Sequence, residues 1–424
     1  MVTCQIDNLN ITLNRQGSNE HIKVSYPIRY GRFSEIRTPD YIFQFNLNGE
    51  IKFMRGLGKS WTNPSEWLKR TVGNDWVYYS TGGYSGVYDS FGEYYLPCPS
   101  YPSNSITIGD PFKDNAVKSA IRSWHELQAE IKTMISCSVP KEFKEFLILV
   151  SENDPETLGR SSLRLHNIIG ERVTVLPPDT RHVDYEVIPV NVADGCLFKC
   201  GFCRVKSRRK FTPRSKEDIT NQIGNLKELY GRDIRNYNAV FLGQHDALNS
   251  DPQLIEFAAR KAYKAFEFER SNLKGAYLFF FGSADSILNS KDALFESLER
   301  LPFSTYINIG LESADPETLV ALKKPITVET VDKAFARMLD INRRYDKIEI
   351  TANFVFGDEL PPNHMNSFVE LTKKRLKRRY GKGTIYFSPL VNGGMEENRG
   401  LKRKFYRVKL LSPLETYIYL IQRL

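Results

Sequence analysis

Three cysteines fall within eight residues, Cys196-Leu-Phe-Lys-Cys200-Gly-Phe-Cys203, directly after a strand-like run, Tyr185-Glu-Val-Ile-Pro-Val-Asn-Val192. Three thiolates so close in sequence can grip one inorganic centre. An iron-sulfur cube normally takes four cysteines, so a site offering three leaves one iron open to a non-protein ligand. A closed zinc knot is the alternative, with a histidine such as His182 or His245 completing the donor set. Such knots usually come as paired C-x2-C units, and the flanking chain fits the first reading better.

The spacing C-x3-C-x2-C, with Gly201 and an aromatic residue before the last cysteine, resembles the cluster loop of the radical S-adenosylmethionine (radical SAM) enzymes. The resemblance implies that Cys196, Cys200 and Cys203 hold a [4Fe-4S] cluster and that S-adenosylmethionine (SAM) chelates the fourth iron. Reductive cleavage of SAM would then give a 5′-deoxyadenosyl radical that takes hydrogen from a substrate. It also implies a reducing electron donor such as a flavodoxin or ferredoxin.

Further matches lie at the ends of later strand-like runs. Phe241-Leu-Gly-Gln-His-Asp246 looks like the second-strand motif that approaches the amino group of SAM, with Gly243 and Gln244 at the contact positions. The usual pair of glycines followed by an acid is here Gly-Gln-His-Asp. Asn308-Ile-Gly-Leu-Glu-Ser-Ala-Asp315, with Leu322-Lys-Lys324 and Thr327, is similar to the fourth-strand signature of the coproporphyrinogen-oxidase and methylthiotransferase branches. There Glu312 or Ser313 would reach the ribose hydroxyls. Phe354-Val-Phe356-Gly357 matches the glycine-ended fifth strand beside adenine, and the chain around Phe202 would flank the same ring. The specific subfamily is not identified by these motifs.

His245 and Asp246 place an imidazole beside a carboxylate, a pairing suited to proton donation or substrate contact, and equally to shaping a turn. Asp285 and Asn353 are similar positions with no evident partner. Lys199, Arg204, Lys206, Arg208, Arg209 and Lys210 cluster around the cysteines, where positive charge would suit an acidic ligand and the arrival of electrons.

The elements that must position these residues are legible in outline. From about residue 180 strand-like and helical patterns alternate, the signature of βαβ units and a parallel sheet. Six strands are expected, near 185–192, 239–242, 276–281, 305–311, 347–356 and 384–388, with helices between them. Ser215 and Asp218 read as a capping pair opening one helix, and Val328, Val331, Phe335, Met338 and Ile341 form the apolar face of another. Right-handed crossovers put every strand's C-terminal end on one rim, where ligands bind. The fold class is α/β, and the repeat resembles the incomplete (β/α)6 radical SAM barrel, over 181–390.

Residues 1–180 read as a separate α+β domain of unknown role. Asn48-Gly49 between aromatic-rich flanks signals a hairpin over 41–54, and Val117, Ile121, Trp124, Leu127, Ile131 and Ile135 mark a helix from 114 to 137. A Gly- and Tyr-rich loop over 78–102 is expected to approach the cluster-bearing rim and cover the open barrel. Residues 391–424 read as a basic extension.

The composition, 41% hydrophobic and 26% charged over 424 residues, is that of a globular protein large enough for two domains. No apolar run suffices for a membrane helix, and the start does not read as a signal peptide, so no membrane contact and a cytoplasmic setting are expected. Six cysteines, three of them in one loop, do not form a secreted disulfide framework, and Cys4, Cys98 and Cys137 read as small buried hydrophobes. Residues 366–424 hold 14 of the 59 basic and 4 of the 50 acidic residues, so the net charge of +9 is C-terminal. Lys373, Lys374, Arg378, Arg379 and their neighbours, interleaved with Tyr380, Phe405 and Tyr406, suit single-stranded RNA as well as a solvated helix face. Beside the enzyme stands a second class, a non-catalytic metal-binding or RNA-binding scaffold on the same barrel.

Overall fold

The structure, a computed structural model, describes all residues except 23–28, 62, 83–85, 99–108, 137–138, 199, 202, 204–209, 377 and 391–398, together with the side chain of Arg399. Phe202 and most of the basic residues expected around the cysteines lie outside the described residues, as does Cys137.

The chain opens with eight strands: β1 (Val2–Ile6), β2 (Leu9–Gln16), β3 (Arg32–Arg37), β4 (Tyr41–Phe45), β5 (Ile51–Gly56), β6 (Trp67–Arg70), β7 (Trp76–Ser80) and β8 (Leu96–Cys98). They form one antiparallel sheet in sequential order. The expected hairpin is β4 and β5, closed by a turn in which Gly49 has φ +80°. A short helix α1 (Val87–Phe91) precedes β8, and α2 (Asn115–Met134), α3 (Lys141–Glu152) and α4 (Pro155–Ile169) follow it. Asp114 caps α2 by accepting from the Ala116 amide at 2.7 Å. The buried face of α2, with Trp124, Leu127 and Ile131, shares a core with Ile11, Phe43, Phe45 and Ile51. Alternating burial along β2 is what one covered sheet face requires.

Next comes β9 (Ile188–Pro189), then the short pair β10 (Ala193–Asp194) and β11 (Thr212–Pro213), followed by α5 (Lys216–Tyr230), β12 (Ala239–Phe241), α6 (Pro252–Ala265), β13 (Tyr277–Ser283), α7 (Ala284–Asn289), α8 (Asp292–Glu299) and β14 (Ser304–Glu312). The chain continues through α9 (Pro316–Ala321), α10 (Val328–Arg344), β15 (Ile348–Phe356), α11 (His364–Arg375), β16 (Tyr380–Pro389), α12 (Arg399–Leu411) and β17 (Leu414–Ile418). Strands β9, β12, β13, β14, β15, β16 and β17 pair in that order, every pair parallel. Ser215 and Asp218 form the expected capping box on α5.

Two features depart from the sequence reading. The first strand is short: Tyr185 turns at φ +61°, and only Ile188 and Pro189 pair with β12. A seventh strand, β17, lies in the stretch read as a basic extension, with Tyr417 opposite Tyr386 and Ile418 opposite Phe387. The basic helix α12 before it buries Leu401, Phe405 and Val408 in the larger core. Among the described residues no helix is long and apolar enough to cross a membrane.

The two sheets meet along a polar seam. Lys69 donates to the Asp184 carbonyl at 2.8 Å and pairs with Glu186, whose other oxygen is 2.7 Å from the Lys52 ammonium. Burial alone would raise the Glu186 carboxyl, but Lys52 and Lys69 hold it down at about 2. The core of the parallel sheet reaches back to Leu165 and Ile169 of α4.

Candidate functional site at the strand-end rim

The cysteine loop leaves the sheet through a pinned neck. Ala193 and Asp194 pair with Pro213 and Thr212, and Cys196 bridges to Lys210. Arg214 closes the neck, donating to both Asp194 oxygens at 2.7 and 3.2 Å and to the Ile169 carbonyl at 2.7 Å. Within the loop, the Gly201 amide donates to the Leu322 carbonyl at 3.0 Å and that of Cys203 to the Cys200 carbonyl at 3.3 Å. Cys200 is buried, and Cys196 and Cys203 are partly exposed.

Under the loop lies an ion pair, Lys324 Nζ to Glu312 Oε1, at 3.3 Å, with both residues buried. Burial alone would lower the Lys324 ammonium, but Glu312 and the thiols of Cys200 and Cys196 raise it. Burial likewise raises the Cys200 thiol against the pull of Lys324. Glu312 sits at φ +66° where the β14–β15 register slips between Gly310 and Glu312. Backbone held in this sparsely populated region marks many functional sites. A Cβ on Gly310 would stand 2.5 Å from Glu312 Oε1, so glycine there lets the carboxylate fold back to Lys324.

Ser313 behaves differently. It is fully buried, its hydroxyl 2.8 Å from His364 Nδ1 and accepting from the Asp315 amide at 3.0 Å. Of the two residues expected at the ribose, Glu312 is the one beside the cysteines.

At the end of β12 the four candidates separate. Gly243 adopts φ +98°, and a Cβ there would meet Asn191 Oδ1 at 2.8 Å. Gln244 turns to the segment after α4, accepting from the Thr174 amide at 2.9 Å and donating to the Arg172 carbonyl at 2.8 Å. His245 Nε2 is 3.0 Å from Glu171 Oε2, and the other Glu171 oxygen accepts from Asn191 at 2.7 Å. Burial would raise the Glu171 carboxyl, and its hydrogen bond from His245 leads the contacts that hold it low. Asp246 points elsewhere: Oδ1 accepts from the Ser283 amide at 3.1 Å, and Oδ2 is buried without a hydrogen-bond partner among the described residues. Burial raises the Asp246 carboxyl, while Ser283, Ser286 and the charge of Lys324 oppose the rise.

Phe356 is in the core against Phe387 and Phe405, so its ring serves packing. Its carbonyl accepts from the Leu390 amide at 2.7 Å, and Gly357 follows at the edge of a cleft of about 530 Å³ between α11 and α12.

Along the sheet, between β14, β15 and β16 and the segment before β9, runs a polar column that sequence reasoning missed apart from Asn353. Asn353 donates to Asn308, and Asn308 to Thr351 at 2.8 Å. Thr351 and Tyr386 then donate to Asp179 at 2.6 and 2.8 Å, and Arg181 to the Tyr386 hydroxyl at 3.0 Å. Asn353 Oδ1 is buried and without a hydrogen-bond partner among the described residues. His182 stacks on Tyr306 with ring centroids 4.9 Å apart, away from the cysteines in the sequence-derived zinc alternative. Alternation of polar residues along β15 (Glu349, Thr351, Asn353) was the available signal.

The described part of the 78–102 loop contacts α12 and the segment before β9. Ser90 lies 2.7 Å from the Tyr406 hydroxyl, and Arg181 donates to the Gly92 carbonyl at 2.7 Å. Of the three aromatics expected to stack on RNA, Phe405 is buried in the core and Tyr406 is bonded to Ser90. Lys374 and Arg375 pair with Asp332.

Three thiols on one pinned loop, with no disulfide among the described cysteines, are the donor chemistry an iron-sulfur cluster takes. The side chains do not themselves converge: among the described residues no three His, Cys, Asp or Glu groups close on one point. The fit thus rests on donor type, loop placement and the buried cation beneath.

A family profile described as the Radical SAM superfamily matches residues 190–397. No curated protein matches the chain. Among solved structures, the cobalamin-dependent S-adenosylmethionine radical enzyme OxsB with aqua-cobalamin bound is 15% identical, covering 54% of this chain and 32% of its own, with a TM-score of 0.35. A radical SAM methyltransferase from Sphaerobacter thermophilus is 14% identical over 55% of this chain and 66% of its own, TM-score 0.36. Methylornithine synthase (PylB) is 12% identical over 69% and 74%, TM-score 0.34. The chain thus spans about a third of the length of OxsB, and at these scores the likenesses carry no weight for substrate or chemistry. Through the domain at residues 190–397, the chain belongs to the radical SAM superfamily of enzymes.

Proposed function

We propose that this chain cleaves SAM reductively at a [4Fe-4S] cluster held by Cys196, Cys200 and Cys203 and directs the resulting hydrogen abstraction at a substrate not yet identified. The observation that carries the reading is the position of the cysteine loop: it rises from the first strand of a parallel sheet and lies over the buried Lys324–Glu312 pair. When bound, the cluster and SAM would supply a 5′-deoxyadenosyl radical. The rest is the work of the chain. Lys324 neutralises negative charge gathered by three thiolates and by Glu312, which would otherwise repel one another in a buried setting. Glu312 offers a carboxylate to ribose hydroxyls, Gly243 and Gly357 offer close backbone approach, and Asp246 Oδ2 and Asn353 Oδ1 are buried acceptors open to a ligand.

In this reading residues 181–390 form an incomplete (β/α)6 barrel, 1–180 a separate domain, and 391–424 a basic extension that includes a further strand. The electron donor would be a small reductant protein such as a flavodoxin or ferredoxin. Metal analysis after anaerobic reconstitution tests the cluster. Iron and sulfide should bind in about equal amounts and be lost on Cys196→Ala, Cys200→Ala or Cys203→Ala but retained on Cys98→Ala. Zinc without iron or sulfide would overturn the proposal in favour of a scaffold.

A further inference from the structure

Far from the cysteine loop, a guanidinium is buried at the seam between the two sheets. Arg29 Cζ lies 3.8 Å from the centroid of the Phe53 ring and 4.1 Å from that of Trp67. Its Nε donates to Gln44 Oε1 at 2.7 Å, and both terminal nitrogens are buried without a hydrogen-bond partner among the described residues. Burial brings the group down only to about 10, so it is charged at neutral pH.

The nearby carboxylates are engaged elsewhere. Asp184 Oδ1 accepts from Tyr79 and Tyr95 at 3.1 and 2.8 Å, and Glu186 is held by Lys52 and Lys69. Glu35 takes Arg15 and Gln44, and Asp233 takes Asn46, Leu47 and Asn236. Among the described residues Arg29 is thus a buried cation in direct contact with two aromatic faces and one amide, Asp184 acting on it only through its charge, and a charge so placed is costly without a hydrogen-bonded counter-ion.

Arg29 lines a cavity of about 50 Å³ that is also walled by Phe33, Phe45 and Leu273. That volume exceeds what one water requires. The cavity also borders Glu186 and Tyr237, which precede β9 and β12, so it lies at the strand ends opposite the cysteine rim.

We propose that this cavity binds a small monocarboxylate, its two oxygens paired with the two terminal nitrogens of Arg29 and its alkyl end against Phe33, Phe45 and Leu273. The planar fork of arginine matches a carboxylate in this way. Asp184 and Glu186 border the same space and disfavour a dianion such as phosphate.

Thermal denaturation and calorimetric titration of the full chain with acetate, propionate, phosphate and chloride at constant ionic strength test this. Acetate or propionate should raise Tm saturably, and Arg29→Met, which keeps an unbranched chain between the two rings, should weaken binding by about tenfold or more. Should Arg29→Met fail to fold, Arg29→Lys keeps the charge without the fork and should show a similar loss. No saturable response in the wild type, a response to phosphate alone, or unchanged affinity in a folded variant would overturn the proposal.

Discussion

The Lys324 ammonium and the Glu312 carboxylate, 3.3 Å apart and both buried, form the one described ion pair beneath the cysteine loop. Removing one partner strands the other: Lys324→Met is expected to destabilise the fold by about 3–5 kcal/mol, and Lys324→Met/Glu312→Gln by less. Urea denaturation of the two variants measures this. Glu312→Ala should also weaken SAM binding, whereas Ser313→Ala, which loses only the bonds to His364 and Asp315, should lower stability and leave SAM affinity intact. Equal SAM affinity in both would remove Glu312 from the site.

Gln244 joins the end of β12 to the backbone of residues 172 and 174. Gln244→Ala is therefore expected to cost about 1–3 kcal/mol in stability with the SAM dissociation constant unchanged. A stable variant with weakened SAM binding would return Gln244 to the cofactor.

Asp179 makes the fold pH-dependent. Burial raises its carboxyl to about 7, ahead of the lowering hydrogen bond from Thr351. The unfolded chain releases that proton at about 3.9, so between these values the folded state binds more protons. The stability tied to this group is complete below about pH 4 and is lost as pH rises through about 7. Asp179→Asn should remove that loss, so its stability relative to wild type should grow by a few kcal/mol from about pH 4 to pH 8. A difference constant with pH would contradict the assignment.

Much of this was legible in the sequence because local rules decided it. The Asn48-Gly49 turn, the Ser215 and Asp218 cap and the apolar face of α10 each follow from neighbours in the chain. The cysteine spacing led to the family in the same way. What stayed hidden depends on distant residues. His245 and Asp246 adjoin in sequence yet turn to Glu171 and Ser283, on opposite sides of the strand end. Strand β17 was masked by the positive charge of α12, whose apolar stripe of Leu401, Phe405 and Val408 is what docks it. The Asp179 column brings together residues 172 positions apart, beyond any pattern of period two or 3.6.

Product analysis decides whether this chain cleaves SAM at a cluster on Cys196, Cys200 and Cys203. The anaerobically reconstituted protein is mixed with SAM and dithionite, and 5′-deoxyadenosine is measured by mass spectrometry. 5′-Deoxyadenosine and methionine are expected from the wild type and neither from Cys200→Ala. An iron- and sulfide-loaded wild type that binds SAM yet yields no more 5′-deoxyadenosine than Cys200→Ala would contradict it.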